Sequence, residues 1–78
     1  MMEIKDITKG TIFSESAYGM TLTLTAVEDA QRVEGREVSA DGWEVHGALV
    51  GGRGQPVRFF ASDHDPAYAP QLTLVKKG

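Results

Sequence analysis

The chain has no cysteine among its 78 residues. Disulfides, one of the staples by which domains of this size reach adequate stability, are therefore excluded. Long hydrophobic runs are missing too: no stretch approaches the roughly 20 apolar residues of a membrane-spanning helix. The opening MMEIKDITKG lacks the apolar segment of a secretory signal. A cytoplasmic protein with no membrane partner is the expectation. Basic excess is also absent, since 11 acidic residues against 8 basic ones give a net charge of −3. Nonspecific nucleic-acid binders gain affinity by releasing counterions through a basic face, so this balance disfavours a nucleic-acid partner. Finally, no stretch of ten residues carries a helical period, and there is no internal repeat or low-complexity segment.

What remains is ordinary globular material. Apolar residues at 41% and charged residues at 24% place residues 1–78 in one small folded domain, not a disordered chain. A chain of this length buries only roughly 60% of the surface its unfolded form exposes. The core must be thin. Strand packing alone, or burial of one sheet face against a partner or a second copy, has to supply the stability.

The period of that material is two. In Met20 to Val27, MTLTLTAV, apolar Met20, Leu22, Leu24 and Ala26 alternate with three threonines, the pattern of a half-buried strand. Glu28 to Ala30 reads as a turn into a strand over Gln31 to Ala40. Asp41-Gly42 has the chemistry of a two-residue hairpin tip, which predicts Ala40 opposite Trp43, Ser39 opposite Glu44, Val38 opposite Val45 and Glu37 opposite His46. Keeping Val33 on the apolar side, opposite Leu49, then requires a bulge near Gly35. Trp43 to Val50 forms the next strand, GGRGQ at 51–55 a hairpin loop, and Val57 to Ala61 a strand opened by Pro56. Ser62 to Pro70 is an irregular connection, and Gln71 to Lys76 a closing strand.

The first nineteen residues fit no single period. They predict a strand near Glu3 to Ile7, with a helical turn as the competing reading, then a turn at Lys9-Gly10 and a strand from Thr11 to Glu15. Ser14 to Gly19 reads as a loop whose Tyr18 plugs one end of the barrel. Together these segments predict an all-β fold, an antiparallel meander of about five to six strands closed into an SH3-like or related barrel, with a small sandwich as the alternative. Closure removes the exposed edges of an open meander.

No motif of catalysis, metal binding or cofactor binding stands in the chain, and no catalytic, metal or cofactor residue is assigned. Ser62-Asp63-His64-Asp65 brings together residue types used in hydrolysis and metal binding. Consecutive loop residues point in different directions, however, so the stretch reads as a solvated turn. Gly51-Gly52-Arg53-Gly54 is a hairpin tip that offers a nest for an anion, and Glu37 beside His46 reads as a cross-strand pair. Parity makes the strongest statement: Phe59 and Phe60 must point to opposite sides of their strand. With Val57, Phe59 and Ala61 inward, Phe60 lies outside, beside Arg58. Either Tyr68 and its proline-bearing loop cover that ring, or it belongs to an interface.

Arg53, Arg58, Phe60 and Tyr68 are therefore the candidate partner-binding residues. The leading expectation is a non-enzymatic protein-binding module whose partner is another protein or a second copy. The alternatives are a single-stranded nucleic-acid module that uses the same aromatic and basic residues, and a metal-dependent or hydrolytic protein built on Ser62 to Asp65.

Overall fold

The computed structural model describes residues 2–37 and 40–78. Among them are six antiparallel strands: β1 (Ile12–Ala17), β2 (Met20–Ala26), β3 (Gln31–Val33), β4 (Gly42–Leu49), β5 (Val57–Ser62) and β6 (Leu72–Lys76). All belong to one sheet, which decides against two stacked sheets. β6 pairs with β1, β1 with β2, and β2 with the far half of β4. The near half of β4 pairs on that same side with β3, and its other side carries β5 along its length. β2 and β3 thus act as one strand bent at 27–30. The sheet curls into a half-barrel of the small-barrel kind, all-β as the alternation predicts.

The alternation in β2 holds toward its end, where Leu24 and Ala26 are buried and Leu22 packs against the core, but Met20, on the same face, is exposed next to the hairpin tip. Its partner strand runs further than the sequence suggests. Residues 14–17 continue β1 up to a turn at Tyr18 and Gly19, whose φ values are 52° and 73°. Two consecutive left-handed residues match the right-handed twist of a hairpin. Tyr18 is consequently no plug. It stands at the tip, beyond the end of the sheet, where no core exists to receive it, and it is fully exposed.

The region before β4 departs most from the expectation. The strand predicted to reach Ala40 ends at Val33, and the described residues between β3 and β4, 34–37 and 40–41, belong to no strand. Asp41-Gly42 is not a hairpin tip. Gly42 is the first residue of β4, paired with Val33 on one side and Ser62 on the other, and it is not among the positive-φ residues. It must be glycine for another reason: a Cβ there would lie 2.1 Å from the Ala61 carbonyl oxygen.

The predicted register fails with it. Arg32, not Ala40, faces Trp43; Arg58, not Glu37, lies beside His46; and Leu49 faces Leu24, not Val33. No bulge is needed at Gly35, which lies in the connection. The pairings expected of Val38 and Ser39 lie outside the described residues.

The amino-terminal segment takes the competing helical reading, a 3-10 turn at Ile4–Asp6. Ile4 and Ile7 bury their side chains in the core with Phe13, Leu24, Ala26, Val45, Phe59 and Leu72. The Phe13 and Phe59 rings meet edge to face, with centroids 5.6 Å apart, the geometry their quadrupoles favour. Main-chain bonds stitch the segment in place: Met2 N–H to Leu72, Ala30 N–H to the Ile7 carbonyl and Gly10 N–H to the Ala26 carbonyl. β5 and β6 are not paired with each other. Part of the seam between them is filled by this segment.

Candidate functional site

A groove of about 450 Å³ opens where the half-barrel fails to close. Trp43 of β4 and Ala61 of β5 form its floor, Met2 to Lys5 one wall, and Pro66, Ala69 and Pro70 the other. The second wall begins with a 3-10 turn, Pro66–Tyr68. Its opening proline suits the start of a helical turn, where no main-chain donor is needed. Trp43 is half-buried, packing one side on the core and leaving the rest toward the opening.

The rim is held by one side chain from a distant strand. Arg32 of β3 reaches across the start of β4, placing its guanidinium carbon 5.8 Å from the Trp43 ring centroid. It donates to the Gly42 carbonyl at 3.3 Å and grips Asp63 with both terminal nitrogens, the Nη1–Oδ1 distance being 2.9 Å. Such a bidentate pair fixes orientation as well as charge. The hydrogen bond from Arg32 holds the Asp63 carboxyl below the usual carboxylate range, and the same bond raises Arg32. The two side chains remain more than a third exposed, so solvent screens much of this effect.

The candidates read from the sequence separate into three places. Arg58 and Phe60 do come together on the outer face of β5, with the guanidinium 5.0 Å from the ring centroid and paired with Glu44. Phe59 points inward and is buried, as parity requires. The Phe60 ring lies over Gly42, where a Cβ would come within 3.0 Å of its Cζ. Phe60 is therefore half covered by its own hairpin. Tyr68 does not cover it: that side chain is 83% exposed, at the end of the 3-10 turn Pro66–Tyr68, and it does not line the groove. Arg53 is exposed in the 50–56 connection, at the opposite end of β5 from Tyr68.

The Ser62 to Asp65 stretch is a turn. Ser62 Oγ accepts the His64 N–H at 3.1 Å, and Asp63 is engaged by Arg32. Among the described residues no three His, Cys, Asp or Glu side chains are grouped to hold a metal ion. His46 finds Glu28 instead of Glu37, with Nδ1 3.4 Å from the carboxylate. That is close enough for an ion pair once the imidazole is charged, but it is not aligned as a hydrogen bond.

Arg32 and the Met2 to Lys5 wall were not foreseen from the sequence. Nothing local to Gln31-Arg32-Val33 marks its arginine, because its partner Asp63 lies 31 positions away. No helix of the described residues is long and apolar enough to cross a membrane. No protein-family model, curated protein or solved structure matches the chain.

Proposed function

We propose that the protein is a non-enzymatic, cytoplasmic protein-binding module that takes a short apolar segment of another protein into the groove over Trp43. One observation carries the reading: a partly open indole forms the floor of a groove between two irregular walls, with a locked ion pair at its rim. The volume, about 450 Å³, suits a few side chains. An apolar centre ringed by polar groups is the usual anatomy of a recognition site, and tryptophan is among the residues most often decisive there. The nearby charges argue against phosphate as the target, since Arg32 is neutralised by Asp63 and Arg58 by Glu44. A nucleic-acid strand needs free cations along its path.

Trp43 is the only tryptophan in the chain, so its emission reports on the groove alone. Peptides selected from a random display library on the immobilised protein should shift that emission on titration. The same peptides should bind the Ala69→Arg variant, which fills the groove from its exposed wall, at least tenfold more weakly. Selected peptides that leave the Trp43 emission unchanged and bind both proteins equally would place recognition elsewhere. Salt-sensitive binding of single-stranded oligonucleotides at the groove would replace the reading with the nucleic-acid one.

A further inference from the structure

The two long edges of the sheet are not alike. β6 is guarded: Met2 bridges to Leu72 on its open side, its ladder with β1 shifts register between Ile12 and Phe13, and Lys76 and Lys77 stand at its end. These are the devices that keep an edge from pairing with another chain. Among the described residues β5 carries no bridge and no register shift along Val57 to Phe60, although the amino-terminal turn fills part of the seam beside it. Its ladder with β4 runs without a shift, and its one charge, Arg58, points outward and is already paired with Glu44.

The main-chain groups free on that edge follow from alternation. The His46 carbonyl accepts from Val27, and the Val50 N–H donates to Thr23, so the even-numbered groups of β4 face β2. The odd-numbered groups face β5, as the bond from Asp63 N–H to the Asp41 carbonyl shows. Val57, Phe59 and Ala61, the partners of Gly47, Val45 and Trp43, therefore spend their main-chain bonds on β4. The N–H and C=O of Arg58 and Phe60 point to the open side.

We propose that this edge pairs antiparallel with the same edge of a second copy, with the two-fold axis at Phe59. That register sets Arg58 opposite Phe60 of the other copy, in both directions, and joins them by a pair of main-chain hydrogen bonds. The guanidinium meets a second aromatic face like the one it already contacts at 5.0 Å, a favourable arrangement. Val57, 37% exposed, is covered by Ala61. The neighbouring registers are worse. An axis at Arg58 places two like charges face to face and sets Phe60 against Pro56, which has no N–H. An axis at Phe60 pushes the pairing toward Ser62, beside which the groove walls stand. This dimer goes beyond the groove reading and does not depend on it.

Sedimentation velocity from about 10 μM to about 1 mM tests the pairing; a short two-strand contact lies at the small end of interface sizes. The expected result is a rise in mass from the 8.4 kDa of the chain toward double that value. Phe60→Lys, which sets a cation opposite Arg58, should remain monomeric at every concentration, with native Trp43 emission confirming its fold. Mixing Phe60→Lys with Arg58→Glu should restore a dimer containing one chain of each, because positions 58 and 60 face each other only in this register. A wild-type chain that stays at 8.4 kDa throughout, a Phe60→Lys variant that dimerises like wild type, or a mixture that fails to pair would overturn the proposal.

Discussion

Between Ala17 and Met20 the chain reverses through Tyr18 and Gly19 alone, whereas Val33 and Gly42, paired across β3 and β4, have eight residues between them in the chain. The first reversal is closed by backbone conformation, two left-handed residues in a row. The second is closed from outside. Asp41 accepts the Gly35 N–H on its carboxylate at 3.0 Å and the Asp63 N–H on its carbonyl at 2.9 Å, and Arg32 ties the same corner to Asp63. A glycine serves each, for opposite reasons. Around Gly19 there is open space and a φ that L-residues resist; at Gly42 the backbone is unexceptional and there is no space. The same residue type therefore marks a turn in one place and a strand contact in the other.

Substitutions should separate the two mechanisms. Gly42→Ala should be the most damaging, at about 3 kcal/mol in urea denaturation, because its Cβ meets the β5 main chain, which has no rotamer with which to yield. Gly19→Ala should cost about 1–2 kcal/mol, the strain of one L-residue held left-handed, with nothing to clash against. If the two variants lose equal stability, the distinction between space and conformation fails. Asp41→Ala should cost about 1 kcal/mol, the worth of one exposed carboxylate bond to main chain, while Asp41→Asn keeps the acceptor and most of the stability. Tyr18→Asn should raise the unfolding free energy slightly, by about 0.5 kcal/mol, since asparagine accepts the left-handed region more readily than tyrosine.

The smallest difference at neutral pH should come from Asp63→Asn, and it should be pH-dependent. The folded-state pKa of Asp63 is lowered, so its contribution is present above the unfolded value of about 3.9 and disappears as pH falls through the lowered one. Wild type and Asp63→Asn should therefore differ at pH 7 and converge as the solution is acidified toward pH 2. A constant gap across that range would mean that the pair with Arg32 does not set the shift.

These contrasts also explain what the sequence reveals and what it hides. β2, β4 and β5 are legible because each carries its own alternation, and Leu24, Val45 and Phe59 fall inside as parity demands; in β6 Leu72 is buried, but Leu74 on the same face is exposed. Asp41-Gly42 misleads because its glycine answers to Ala61, 19 positions later, and a local motif carries no record of such a neighbour. The amino-terminal turn is obscure for a related reason, since Ile4 and Ile7 are placed by the seam they fill and not by a period. The groove itself is not legible: alternation assigns Trp43 to a core face, and none of Arg53, Arg58, Phe60 and Tyr68 lines the opening. Met2 to Lys5, and Arg32 at the rim, come from strands and turns that only the folded topology brings near.

That topology has a consequence for how the protein comes to be folded. β1, near the start of the chain, pairs with β6, near its end, and Met2 is bridged to Leu72. Most contacts therefore join residues distant in sequence, which slows the search for the native state. A nascent chain emerging in order has β1 and β2 ready early, but the strand beside β1 is the last to arrive. Until Leu72–Lys76 is available, the apolar side of Phe13 and Ile7 has only part of its cover. The interval before that strand docks is when this protein is most open to aggregation.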